Sequence, residues 1–224
     1  MSVLYIVPTP VGNLEDMTQR AINVLAGADH ILTEDTRVTG KLLKYFDIDT
    51  KMMSYHQHNE HRVLAGLIER LKSGATLAVV SDAGTPGISD PGFLIVRECI
   101  KEGIQVEVLP GASAFLPALV ASGLPCDRFC FEGFLPAKKG RRTRIESLLQ
   151  EQRTMVFYES PYRIASTLGD LAEAFGGDRP ASVSREISKL HEEHIRGPLA
   201  QLSEIFSNRR IKGEITLVVA GKGL

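Results

Sequence analysis

Short apolar runs alternate with stretches of helical period through the first half of the chain. Runs at 3–7, 30–33, 76–81 and 105–109, with a shorter one at 51–55, predict strands; 18–26, 39–46, 59–73 and 93–101 predict helices. The third helix places Val63, Leu64, Leu67, Ile68 and Leu71 on one face, the stripe a helix presents to a sheet. Gly27, Gly74 and Gly103 stand where left-handed C-terminal caps are expected. Such alternation predicts a mostly parallel sheet covered on both faces.

The pattern changes after Pro110-Gly111-Ala112-Ser113. A helix at 114–121 leads into Gly123-Leu124-Pro125, then strands at 128–132, 154–158, 181–185, 193–196 and 214–220 and helices at 142–150, 161–175 and 199–207. The closing run Ile215-Thr216-Leu217-Val218-Val219-Ala220 is apolar enough for a central strand. Two α/β domains of about equal size, 1–114 and 115–224, fit this pattern.

Composition narrows the class. Hydrophobic content of 43% and charged content of 24% are those of a globular protein in water. No apolar run reaches a membrane span, and Met1-Ser2 leads straight into the first strand, so a cytoplasmic location is expected. Cys99, Cys126 and Cys130 are odd in number and lack paired metal spacing, which favours free thiols. The net charge of −1 gives no global attraction for nucleic acid, so a polyanionic partner needs local patches.

Candidate chemistry gathers at strand exits. Ser81-Asp82-Ala83-Gly84-Thr85-Pro86-Gly87-Ile88-Ser89-Asp90-Pro91-Gly92 is longer than an ordinary strand-to-helix turn, and Pro8-Thr9-Pro10-Val11-Gly12-Asn13 leaves the first strand in the same style. Ligands of open α/β sheets sit beyond such ends. No phosphate-cradling G-x-x-x-x-G-K motif exists. Glu34 and Asp35 keep a nicotinamide-type reading open, but Pro8 and Pro10 remove backbone donors that a pyrophosphate needs. His56, His58 and His61 form the one histidine cluster; its polar setting favours solvated side chains, and no metal is expected. Lys138, Lys139, Arg141, Arg142 and Arg144 flank Gly140 in a cationic loop suited to phosphates, and Arg209, Arg210 and Lys212 form a second group.

Pro8-Thr9-Pro10-Val11-Gly12-Asn13-Leu14, Glu34-Asp35-Thr36-Arg37, Ser81-Asp82-Ala83-Gly84-Thr85-Pro86, Gly133-Phe134-Leu135-Pro136 and Phe157-Tyr158-Glu159-Ser160-Pro161 together resemble ribosomal RNA small subunit methyltransferase I, a branch of the tetrapyrrole methylase superfamily. The resemblance runs to Lys212-Gly213-Glu214. It implies two α/β domains with S-adenosylmethionine folded in the cleft between them, and methyl transfer to a cytidine ribose 2′-hydroxyl in 16S rRNA near the decoding centre. Carried over by position, the cofactor would touch Pro10, Val11, Asp82, Thr85, Ser113, Ala114, Tyr158, Glu159, Gly213 and Glu214. Tetrapyrrole enzymes carry Gly-Asp-Pro where this chain has Ser81-Asp82-Ala83, which weighs against a tetrapyrrole substrate. Asp35, Glu159 and Glu186 are candidates for the general base, and Arg37, Arg185 and Lys189 for holding phosphate beside Lys138, Lys139, Arg141 and Arg142. The expected partners are 16S rRNA or the 30S subunit and a second copy of the chain. A small-molecule C-methyltransferase and a non-catalytic RNA-binding assembly factor remain the alternatives.

Overall fold

The computed structural model describes residues 2–224; Met1, with the expectation placed on its lead into the first strand, lies outside the described residues. The chain divides into two compact units, Met1–Ser113 and Ala114–Leu224.

In the first unit, β1 (Val3–Ile6), β2 (His30–Thr33), β3 (Met52–Ser54), β4 (Thr76–Val79) and β5 (Gln105–Val108) form one sheet in the order β3-β2-β4-β1-β5. Every pairing is parallel, so all five strands end on the same edge. The crossovers are α1 (Gln19–Gly27), α2 (Thr36–Tyr45), α3 (Glu60–Lys72) and α4 (Phe93–Lys101). Leu67, Ile68 and Leu71 of α3 pack with Leu4, Ile6, Leu77 and Val79 on one face of the sheet, while Leu25 of α1 and Leu43 of α2 pack with Ile31, Ala78 and Val80 on the other.

Two local expectations change. Gly27 is the last residue of α1 and not a left-handed cap, because Ala28 turns directly into extended backbone; Gly74 and Gly103 do take positive φ. α2 begins at Thr36, three residues before the expected start, because the Asp35 carboxylate accepts from the Arg37 N–H and caps the helix. Arg37 and Val38 therefore ride on a helix.

The second unit carries α5 (Phe115–Ser122), β6 (Phe129–Phe134), α6 (Arg141–Ser147), β7 (Thr154–Glu159), α7 (Ile164–Phe175), β8 (Pro180–Arg185), β9 (Glu193–Pro198), α8 (Leu199–Ser207) and β10 (Ile215–Val219). Its sheet runs β6-β7-β10-β8-β9, with β6 and β7 parallel and the other pairings antiparallel. β10 is fully buried in the middle of the sheet, as a run apolar but for Thr216 requires. Leu168, Leu171 and Phe175 of α7 and Leu199, Leu202 and Phe206 of α8 cover one face. Among the described residues no helix is long and apolar enough to cross a membrane.

Candidate active site

Because β4, β1 and β5 are adjacent and parallel, their exit loops emerge side by side and are laced together. Thr9 and Gly84 exchange two backbone hydrogen bonds of 2.9 Å. The Thr9 hydroxyl donates to the Ser81 carbonyl at 3.0 Å, and the Thr85 hydroxyl to the Ala112 carbonyl at 2.9 Å. Gly84 sits at φ +86, a left-handed conformation that favours glycine. Gly111 presses against the Pro8 ring, where an added Cβ would stand 2.6 Å from the Pro8 Cβ. Lacing has a chemical consequence. Pro8 and Pro10 lack an N–H and that of Thr9 is occupied, so this exit offers a phosphate no free donor at 8–10.

Carboxylates collect at the neighbouring ends of β2 and β4. The Arg37 guanidinium pairs with Asp35 at 2.6 Å, and with the helix N–H groups it holds that carboxyl down at about 2. Asp82 Oδ1 accepts from the Asp35 N–H at 3.2 Å. Partial burial, then the charge of Asp35, pushes the Asp82 carboxyl up. Glu34 is raised by burial and by Asp82, against a downward pull from His56 and His58. Those two imidazoles thus sit within the field of this cluster. Among the described residues no three His, Cys, Asp or Glu side chains are arranged to hold a metal ion.

Beside these loops lies a cavity of about 310 Å³. Thr9, Pro10, Gly12, Ser81 and Asp82 line one side, and Val38, Lys41, Leu42 and Tyr45 of α2 the other. Of the cofactor residues named from the sequence, Pro10 and Asp82 thus share a wall, Val11 is buried behind them, and Thr85 is held by the loop of Ala112 and Ser113. Lys41 and Tyr45, which line the same cavity, were not singled out from the sequence. Their signal was available in a helix that starts at its Asp35 cap and carries Arg37, Lys41 and Lys44 with no carboxylate.

In the second unit Glu159 and Arg141 are engaged in local structure. Glu159, at the end of β7, is 1% exposed and bound on every side: Arg163 at 2.8 Å, the Ser160 N–H at 2.6 Å and the Thr167 hydroxyl at 2.7 Å. A carboxylate with both oxygens committed to structure makes a poor proton acceptor for a ligand. Arg141 belongs to the same network. Its guanidinium donates to Thr167 and Asp170, each at 2.8 Å, and is largely buried. The expected loop cation is a structural strut.

The remaining cations divide by partner. Arg142 pairs with Glu146 at 2.8 Å but is 92% exposed, and Lys138 and Lys139 are exposed and make no ion pair among the described residues. A groove of about 580 Å³ beside them sets Lys138, Arg141 and Arg142 against Glu146, Asp170 and Glu173, so its local charge is balanced. Arg144 pairs with Glu132 and Arg209 with Glu193.

Glu186 takes φ +54 and Ser188 φ +63 at the end of β8, a strained turn for residues with side chains. The Glu186 carboxylate accepts from Lys189 and from the Glu214 N–H, both at 2.9 Å, and packs where a Cβ on Gly213 would fall. Lys189 also reaches Glu214 at 3.0 Å, so Glu186, Lys189, Gly213 and Glu214 form one locked corner. Arg185 donates to the Lys212 and His191 carbonyls at 3.2 Å. Tyr158, half-buried in β7, stacks edge-on with Phe131 at 5.1 Å. Ala114 opens α5.

Comparison with known proteins places this geometry. The family model described as Tetrapyrrole (Corrin/Porphyrin) Methylases matches residues 3–203. Ribosomal RNA small subunit methyltransferase I of Synechocystis is 49% identical over 222 residues, covering 99% of this chain and 80% of that one. Its counterpart in Vibrio cholerae is 50% identical, covering 98% and 77%. A crystal structure of uroporphyrin-III C-methyltransferase from Thermus thermophilus, complexed with S-adenosylhomocysteine, superposes with a TM-score of 0.65 at 18% identity over 99% of this chain and 98% of that one, a likeness of fold. The chain therefore belongs to the tetrapyrrole methylase superfamily and, within it, to the ribosomal RNA small subunit methyltransferase I family.

Proposed function

We propose that this protein uses S-adenosylmethionine to methylate the ribose 2′-hydroxyl of a cytidine in 16S rRNA near the decoding centre. The observation that carries the cofactor reading is the donor set of the first unit. Three strand exits are laced into a rigid rim with no free amide for phosphate at 8–10, beside the carboxylates Glu34, Asp35 and Asp82. A cofactor with cationic sulfonium and ammonium groups and no phosphate suits that rim. When bound it supplies a methyl group already activated for in-line displacement. Pro10, Val11, Asp82, Thr85 and Ser113 are the residues of the first unit that would hold it, and Ala114, Tyr158, Gly213 and Glu214 those of the second. The names of the relatives support small-subunit ribosomal RNA as the acceptor.

The protein's own part is orientation and proton removal. Of the three base candidates, Asp35 and Glu159 have both carboxylate oxygens engaged by local partners and Glu186 is bound through Oε1, so Asp35, Glu159 and Glu186 all stay candidates. The Asp35 carboxyl, held down at about 2 by Arg37, is a weak base, and alignment of the hydroxyl is the other part of the protein's task. The Arg37 guanidinium beside Asp35 offers a phosphate anchor. We infer action in the cytoplasm, where ribosomal subunits form, and a homodimer, the usual state of the superfamily.

The test supplies labelled S-adenosylmethionine with naked 16S rRNA, with 30S subunits and with uroporphyrinogen. Label on a cytidine ribose is expected. Label on the tetrapyrrole would make this a small-molecule C-methyltransferase, and binding of RNA without label an assembly factor.

A second measurement separates the loop cations. Replacing Lys138, Lys139 and Arg142 with serine is expected to lower affinity for the subunit and flatten its log–log salt dependence by about two units, roughly 0.7 per lost phosphate contact. Arg141→Ser should leave that slope nearly unchanged and instead lower stability by about 2 kcal/mol, because it strips charged hydrogen bonds from Thr167 and Asp170.

A further inference from the structure

α2 faces two ways. Thr39 and Leu43 point into the core, as one stripe of a surface helix should. The flank beside that stripe is not polar: Val38, Leu42 and Tyr45 recur at helical spacing there, next to Lys41 on the outer face, and Tyr45 is 62% exposed. Leu14, in the 3₁₀ turn Leu14–Asp16 after β1, closes the far side. The pocket so formed has an apolar wall, an aromatic rim and a polar floor of Thr9, Ser81 and Asp82. Its volume of about 310 Å³ lies at the small end of ligand pockets, roughly 300–1,000 Å³, the size of one heterocycle with its sugar.

Charge names the occupant. Within Thr36–Tyr45 the charged residues are Arg37, Lys41 and Lys44, all cations, in a chain whose net charge is −1. Cations one turn apart beside an exposed aromatic ring are what single-stranded nucleic acid requires, the ring for a base and the cations for flanking phosphates.

We propose that the α2 side of this cavity, walled by Val38, Leu42 and Tyr45, takes a nucleobase of the acceptor RNA strand, unstacked against Tyr45, with Lys41 and Lys44 on the neighbouring phosphates, while the Pro10 and Asp82 side is left to the cofactor. The inference rests on the RNA-methylation reading and adds to it the place where the target strand is gripped.

The experiment measures binding of a fluorescein-labelled, cytidine-containing single-stranded oligoribonucleotide by anisotropy across a salt series. The proteins compared are the wild type, Tyr45→Phe, Tyr45→Ala and the double variant Lys41→Ala/Lys44→Ala. Tyr45→Ala is expected to weaken binding roughly five- to a hundred-fold, the range of one base–aromatic stack, while Tyr45→Phe stays within about twofold. The lysine pair should flatten the log–log salt slope by about 1.4 units, two single-strand contacts. The sedimentation coefficient should be unchanged in all variants.

Equal binding by Tyr45→Ala and wild type would overturn the proposal, as would a wild type that does not bind the oligonucleotide. A fall in sedimentation coefficient on Tyr45→Ala would also overturn it and make the face an interface between copies. Methyl transfer to 30S subunits is assayed alongside. Transfer without a Tyr45 effect on binding sinks the pocket and keeps the function; a Tyr45 effect without transfer to RNA does the reverse.

Discussion

Gly111→Ala is expected to lower S-adenosylmethionine affinity at least ten-fold while the protein remains folded. The new Cβ would stand 2.6 Å from Pro8 Cβ and 2.9 Å from Pro8 Cγ, and a pyrrolidine ring cannot swing aside as a flexible side chain can. The loop after β5 must therefore move off the loop after β1. That movement carries Ala112, the acceptor for Thr85, and the adjoining Ser113 away from the rim. Overpacking of this kind destabilises by about 1–3 kcal/mol, small beside its effect on a site that needs three loops in register. Calorimetry with the cofactor and thermal melting, measured together, separate the two effects. Pro8→Gly in the same chain removes both clashing atoms and should restore part of the lost affinity, a coupling that a double-mutant cycle reads directly. Equal affinity in Gly111→Ala and wild type would mean that the cofactor does not depend on the close approach of these two loops.

Glu159→Ala is expected to damage stability more than any other single change among the residues discussed. The substitution leaves the Arg163 guanidinium, the Thr167 hydroxyl and the Ser160 N–H without their shared acceptor at the end of β7. Breaking a buried ion pair from one side costs about 3–5 kcal/mol. Arg163 keeps some contact with water, so the lower end, about 3 kcal/mol, is expected, with a fall in melting temperature on the order of 10 °C. Arg141 reaches Glu159 through Thr167, so the double variant Glu159→Ala/Arg141→Ser should lose less than the sum of the singles. Urea denaturation of the four proteins tests this. Additive losses would mean that Thr167 does not connect the two charges. A Glu159→Ala protein of normal stability that fails to transfer methyl would return Glu159 to the active site.

The strand-exit rim was legible in outline and its lacing was not. Prolines at 8 and 10 announce a loop short of N–H donors from composition alone. That the remaining N–H, on Thr9, is taken by Gly84 depends on β1 and β4 being neighbours 73 residues apart in register. The strand ends at Glu34-Asp35 and at Asp82 each read as polar exits, yet the raised carboxyl of Asp82 arises from a meeting across two strands. Three carboxylates looked equivalent as bases because acidity is written by surroundings. Arg37 takes both oxygens of Asp35 and keeps it ionised, Glu159 is bound at both oxygens, and Glu186 is bound through Oε1.

Hydrophobic periodicity by itself marked the bounds of β2, α4 and α8, which coincide with the apolar runs and helical stripes at 30–33, 93–101 and 199–207. The run at 215–220, apolar but for Thr216, likewise required burial on both faces, and β10 has it. Those features are local, since each segment's own spacing dictates which side must leave water. Tertiary structure alone decided which charges are free. Lys138, Arg141 and Arg142 are near neighbours in sequence, yet Arg141 turns inward to Thr167 and Asp170 on α7 while the other two face solvent. Only the folded chain, likewise, sets Tyr45 and Lys41 of α2 opposite the exit of β1, because a side chain's partner across space is fixed by packing between segments that carry no record of one another in their local pattern.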